Sequence, residues 1–298
     1  MKKLINLIAL FGTSSLFAIS HKGFDDQVYG ISMIENIPNY HKYGELFANL
    51  QSEWFGIGFL VALLLVPIAG AIHYYVVGQK VFSHDGKKVY AFNLFMRIFH
   101  FLAAISFIVL VPTGFIMAFG DFFGGGFFVR MCKNLHGLAT IIFAISVFPI
   151  LFSWIKDMFP SKDDIKWIMI VGGYLSKEKK PVPAGKFNAG QKAWFWIGIV
   201  GGIVMIATGV IMFLLADQVL SSVAKFFGIA QIDLLRISVI THNILGMIIA
   251  IFFMVHIYMS VFAVKGAIEA MKSGYKDEEE IKILHSSWYK KLKDEGKI

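Results

Sequence analysis

The nine histidines are the residues of this 298-residue chain best suited to chemistry, since an imidazole can hold a metal or pass a proton. Five of them, His73, His100, His136, His242 and His256, lie within or near the ends of long apolar stretches. An ionisable ring there is costly to desolvate and calls for a partner or a function. Singly, each ring can be satisfied by a hydroxyl or a backbone carbonyl. Their spacing says more. His242 and His256 are fourteen residues apart, about 21 Å along a helix and only ~40° short of four full turns, so both project from one face at different depths. His242 follows Arg236 by six residues and His136 follows Arg130 by six, which puts these two at matching depth. His100, early in its stretch, matches His256, late in its own. Four histidines thus form two pairs at two levels, the ligand set for two bis-histidine b-type haems.

Other chemistries fit less well. The single Cys132 excludes an intramolecular disulfide, a four-cysteine cluster and the C-x-x-C-H attachment of a c-type haem. Zinc favours three or four ligands in one place over distant pairs. A proton pump or ion transporter would show Asp or Glu inside its spans, and these stretches lack them. Neither a G-x-x-x-x-G-K-[ST] phosphate loop nor H-E-x-x-H is present.

The elements that must position the histidines are helices. The chain is 57% hydrophobic and only 16% charged, against about 25% charge in a soluble domain. Uncharged runs cover Trp54 to Gln79, Ile98 to Gly120, Asn134 to Ile155, Ala193 to Ala216 and Ile237 to Val264, each able to cross a hydrocarbon core of roughly 30 Å. Lys and Arg exceed Asp and Glu by 28 to 20, and their placement sets direction. Eight Lys lie from Lys156 to Lys192, eight more from Lys265 onward, and Lys80, Lys87 and Lys88 follow the first run. The opposite connections carry only Arg130 and Lys133, and Lys225 and Arg236. The Lys-rich segments therefore face the cytoplasm, including the C-terminus.

The expected fold is an all-α integral membrane bundle. Residues 1–20 read as a signal peptide, with an uncleaved sixth span as the rival, and residues 21–52 as a periplasmic segment. An extra transmembrane helix at 53–79 precedes a four-helix core at 90–265 with a cytoplasmic loop at 156–192, and 266–298 form a cytoplasmic tail. Within the loop, Asp163 to Ile168 read either as the start of an amphipathic surface helix or as a polar connector. Gly114, fourteen residues after His100, and Gly137 and Gly246 leave room for a flat macrocycle, or simply pack helices. Arg97, Arg130 and Arg236 flank the histidines and can neutralise haem propionates or reach for lipid head groups.

Several segments carry a family likeness: Lys186-Phe187-Asn188-Ala189-Gly190-Gln191-Lys192, His73-Tyr74-Tyr75-Val76-Val77-Gly78 with His84-Asp85-Gly86, Arg97-Ile98-Phe99-His100, the last span with His242, Gly246 and His256-Ile257-Tyr258-Met259, and His285 with Trp288-Tyr289. Across residues 54 to 292 the chain resembles the cytochrome b (gamma) subunit of membrane-bound respiratory formate dehydrogenase. The resemblance implies His100 with His256 on one haem near the cytoplasm and His136 with His242 on another near the periplasm. It implies a quinone site, for menaquinone or ubiquinone, lined by Asn188, Gly190, Gln191 and His256. For Asn188 the alternative is a helix cap. It further implies an inner-membrane electron-transfer subunit that does not bind formate, partnered by an iron–sulfur subunit and a molybdenum or tungsten catalytic subunit. A cytochrome b serving a hydrogenase or thiosulfate-type reductase, or a haem-free anchor or transporter, are the rival readings. The extra first span departs from the simplest family members and places His73 at the interface, outside the ligand set.

Overall fold

A computed structural model describes residues 43–83, 86–213 and 218–298 of the chain. The signal-peptide reading, most of the 21–52 segment and the His84-Asp85 pair lie outside the described residues. Among them, five helices are long and apolar enough to cross a membrane: α1 (Glu45–Val76), α2 (Leu94–Ala118), α3 (Gly126–Met158), α5 (Ala189–Phe213) and α7 (Gln231–Ala263). The chain is a multi-pass helical membrane protein. Its exposure pattern is inverted relative to a soluble domain: Leu65, Ile108 and Ile141 are each about 60% exposed, whereas Ser106 and Ser146 are fully buried. Apolar side chains suffice on a lipid-facing surface, and helical backbone leaves no polar group for lipid to satisfy. The buried serines turn inward on their own helices, Ser106 donating to the Leu102 carbonyl and Ser146 to that of Phe143.

Each helix starts ahead of its uncharged run. α1 begins at Glu45, inside the segment read from sequence as periplasmic, and α3 begins at Gly126, ahead of Arg130 and Lys133. Prolines 67, 112 and 149 sit inside α1, α2 and α3. π-helical turns occupy Trp196–Val200 in α5 and Tyr258–Ala263 in α7, the second immediately after His256; single turns of this kind gather at functional sites.

The residues divide into two compact units, and the division falls inside all five long helices. The first takes the chain up to Ala62 with Val111–His136 and Val204–Met247. Here Leu220, Ala224 and Leu234 form a core between α6 (Gln218–Phe226) and the start of α7. Asp233 is fully buried with Arg236 3.4 Å away.

The second unit comprises Leu63–Leu110, Gly137–Ile203 and Ile248–Ile298. Beyond its helical segments lies a polar assembly. β1 (Lys88–Tyr90) pairs antiparallel with β2 (Tyr275–Asp277), Lys88 opposite Asp277. Short helices α8 (Glu269–Ser273), α9 (Glu278–Leu284) and α10 (Ser286–Asp294) complete the tail, and Ile281 and Leu292 bury against Val89. Gly274 turns the chain between α8 and β2 with φ +89°; a Cβ there would stand 2.5 Å from the Phe92 carbonyl, so only glycine fits. Between α3 and α5, helix α4 (Lys162–Met169) starts at a Ser161–Asp164 capping box, which resolves the sequence ambiguity in favour of helix.

Candidate functional site

The four histidines meet in the two combinations that depth matching gives. In the second unit α2 carries His100 and α7 carries His256, with ring centroids 6.3 Å apart. In the first unit α3 carries His136 and α7 carries His242, at 6.4 Å. Imidazole–metal bonds of about 2.0–2.1 Å on both sides of one ion put ring centres roughly 6.3 Å apart. Both separations meet that demand, with the rings tilted by 60° and 56°. Among the described residues no three His, Cys, Asp or Glu side chains converge on a metal-sized site, so pairs are what the fold presents.

The surroundings of the rings fit a haem. His100 Nδ1 is buried without a hydrogen-bond partner, so the ring is held for something other than internal polar satisfaction. His256 lies under Trp194, stacked at 5.5 Å and 21°. Trp194 in turn packs on Phe107 and Phe253, an apolar wall in which a large flat ligand would be at home. At the other pair, His136 Nδ1 lies 3.0 Å from Thr113 Oγ1 and His242 Nδ1 2.9 Å from Thr208 Oγ1. The outward nitrogens of these rings thereby remain for a metal.

The flanking residues separate. A Cβ on Gly114 would stand 3.5 Å from His136 Cε1, which places this glycine directly against the ring. Gly137 has open space where its Cβ would be, and Gly246 faces the end of Met205 at 3.3 Å. Gly202 admits the Phe143 ring, 2.6 Å from its would-be Cβ, so it serves helix packing. Arg236 is buried beside Asp233, Arg130 is exposed, and Arg97 donates to the Lys272 carbonyl while its buried Nε has no partner.

The Asn188–Gln191 segment opens α5 with a reciprocal capping box. The Gln191 backbone N–H donates to Asn188 Oδ1 at 3.0 Å, and the Asn188 N–H donates to Gln191 Oε1 at 2.9 Å. Both side-chain carbonyls are thus committed to the helix start, and the amide NH2 groups are their remaining donors. Gly190 lets Trp167 approach, 3.1 Å from its would-be Cβ. One turn on, buried Lys192 pairs with Asp164 at 2.7 Å and donates to the Phe159 carbonyl, tying α5 to α4. Burial alone would raise the Asp164 carboxyl, but hydrogen bonds from Lys192 and Ser161 outweigh it and hold it below the usual carboxylate range.

Two further histidines have settled roles. His73 Nε2 donates to the Tyr174 carbonyl at 2.8 Å, and its Nδ1 takes the Tyr258 hydroxyl at 2.5 Å. Both ring nitrogens are used, which leaves none for a metal. His285 is fully buried and donates from Nδ1 to the Gly185 carbonyl at 2.8 Å. Burial, with a smaller push from Lys276, lowers it to about 3, so the ring is neutral. Around it, Ser286 and Trp288 N–H groups bond the Val182 and Ala184 carbonyls, so the tail clamps the segment leading to Asn188. The two threonines and Gly209, whose would-be Cβ stands 3.5 Å from His242 Cε1, escape sequence reading, because a Thr-Gly pair in a span looks like ordinary helix packing.

Comparison with known proteins adds a lineage. The cytochrome b556(Fdn) subunit of nitrate-inducible formate dehydrogenase from Escherichia coli K12 is 29% identical over 164 residues, 55% of this chain and 71% of that one. The formate dehydrogenase cytochrome b556 subunit of Haemophilus influenzae is 27% identical over 202 residues, covering 65% and 79% of the two chains. The cytochrome b556(fdo) subunit from E. coli K12 is 26% identical over 204 residues, 66% and 90%. The profile of prokaryotic cytochrome b561, a family that implies b-type haem, matches residues 91–274, a stretch that contains His100, His136, His242 and His256. With paired histidines on membrane-spanning helices, this chain belongs to the prokaryotic cytochrome b561 family.

Proposed function

We propose that this chain is the dihaem cytochrome b subunit of a formate dehydrogenase complex, carrying electrons from a periplasmic iron–sulfur subunit to a quinone reduced near the cytoplasmic face. The observation that carries the reading is the two histidine pairs, each with ring centres at the separation one iron requires. The names of three relatives, all formate dehydrogenase cytochrome b556 subunits, supply the partner. A b haem at each pair supplies one-electron transfer. The chain itself contributes no formate site and acts as an electron-transfer subunit of the oxidoreductase.

Its residues divide the work. His100 with His256 and His136 with His242 would each hold one haem iron, and Trp194 fixes the plane of His256 by stacking on it. On the cytoplasmic side, the capping box holds Asn188 and Gln191 so that their amide NH2 groups can donate to a quinone carbonyl, with Gly190 keeping the approach narrow. Asp164, Lys192 and the tail around His285 keep that helix start in place. The Lys-rich loop and tail support placing this side in the cytoplasm of a bacterial inner membrane, where quinone protons would be drawn from inside while electrons arrive from outside. Residues 1–20 would then be removed as a signal, and 90–265 form the dihaem core.

The test is spectroscopic and compositional. Purified protein should give b-type bands in a dithionite-reduced minus oxidised spectrum and two haems per chain. His256→Ala should halve the haem and abolish quinone reduction; retention of both haems would refute the pairing. Co-purification with a molybdopterin or tungstopterin subunit is expected, and a nickel–iron partner in its place would overturn the formate assignment.

A further inference from the structure

The His136–His242 pair is built from one dipeptide used twice. Thr113-Gly114 on α2 serves His136 and Thr208-Gly209 on α5 serves His242. Each threonine hydroxyl meets Nδ1, at 3.0 and 2.9 Å, and each glycine would bring a Cβ to 3.5 Å from Cε1 of the same ring. The two contacts together fix ring rotation: the hydroxyl sets where Nδ1 points, and the bare Cα lets the adjacent ring edge lie close.

The hydrogens can be assigned at His242. Thr208 donates its single hydroxyl proton back to its own helix, to the Val204 carbonyl at 2.9 Å and the Met205 carbonyl at 3.2 Å. With its proton on either carbonyl, the hydroxyl oxygen accepts from the ring. The Met205 carbonyl, also an acceptor, lies beside the same ring. Nδ1 therefore carries the proton and Nε2 presents its lone pair, the tautomer an iron needs. His100 differs: its Nδ1 is buried with no acceptor. The two pairs thus hold chemically unequal imidazoles.

We propose that Thr113 and Thr208 are positioning residues that orient His136 and His242 and, by accepting a hydrogen bond from Nδ1–H, make them stronger donors, so that the haem at this pair has the lower reduction potential of the two. A more electron-rich axial imidazole favours the ferric state, because ligand hydrogen bonding tunes haem potential. The inequality gives electrons a downhill direction towards the His100–His256 pair. The proposal rests on the two-haem reading above.

A redox titration of the full-length chain in detergent, followed by haem absorbance, tests it. The starting protein should show two potentials. Thr208→Val and Thr113→Val should each shift the lower one upward, the double variant should shift it further, and the higher one should stay in place. Thr208→Ser, which keeps the acceptor, should restore the original value. Should valine cost the haem, Thr208→Cys carries the same expectation, since a thiol is a weaker acceptor of similar shape. An unmoved lower potential with full haem content, or a shift confined to the higher potential, would overturn the proposal. One haem per chain in the unsubstituted protein would instead remove the two-haem reading, and this proposal with it.

Discussion

Acid should open the C-terminal clamp before it melts the helices. His285 titrates near 3 in the folded protein because it is buried, whereas an unfolded histidine titrates near 6.5. Below pH 6.5 the unfolded chain binds a proton that the folded one refuses, so stability is full above that pH and declines as the pH falls towards 3. From pH 8 to pH 5 the loss is about 2 kcal/mol, and each further unit towards pH 3 removes about 1 kcal/mol more. The affected contacts are local: the Val182 N–H to the Ile283 carbonyl at 2.7 Å, Ser286 to Val182 at 3.0 Å, and Trp288 to Ala184 at 3.1 Å. Hydrogen–deuterium exchange, corrected for intrinsic rates, should show these amides opening roughly 30-fold more often at pH 5 than at pH 8. His285→Gln keeps a donor to the Gly185 carbonyl and cannot titrate in this range, so it should flatten the response. Equal protection at both pH values, or an unchanged slope in the glutamine variant, would refute the reasoning.

Two other substitutions probe the frame. Asp164→Ala leaves the buried Lys192 ammonium without its carboxylate and should cost about 3–5 kcal/mol, read as a lower Tm with impaired quinone reduction; a Tm within a degree of the parent would show the pair to be dispensable. His73→Phe removes two hydrogen bonds, worth about 1–3 kcal/mol together, and should leave haem content and spectrum unchanged, whereas loss of a haem would make His73 a ligand.

Much of this architecture is legible in the sequence because lipid imposes a coarse rule. Asp, Glu, Lys and Arg avoid the hydrocarbon, so uncharged runs mark the spans, and a fourteen-residue interval marks two rings on one helix face. The rule clips helix ends: Arg97, Lys133, Lys192 and Asp233 all lie on the long helices, their charges at the ends where α2, α3, α5 and α7 leave the apolar zone. Less visible were features that depend on pairing across the chain. Asn188 and Gln191 signal a capping box locally, yet only the fold shows the tail holding the segment before them. Thr113 and Thr208 carry no periodicity, and their partners lie 23 and 34 residues away, beyond any local pattern.

The pairing of β1 with β2 also bears on biosynthesis. Lys88 meets Asp277, and Val89 is covered by Ile281 and Leu292, so residues made soon after the first span wait for nearly the last ones translated. Until the C-terminal segment leaves the ribosome, β1 has no partner strand and the 182–185 backbone lacks the acceptors and donors of Ile283, Ser286 and Trp288. All five spans can be threaded into the bilayer by then. Insertion and completion are therefore separate events for this chain, and a protein truncated and released after Ser273 would keep all five spans while β1 stood without its partner strand.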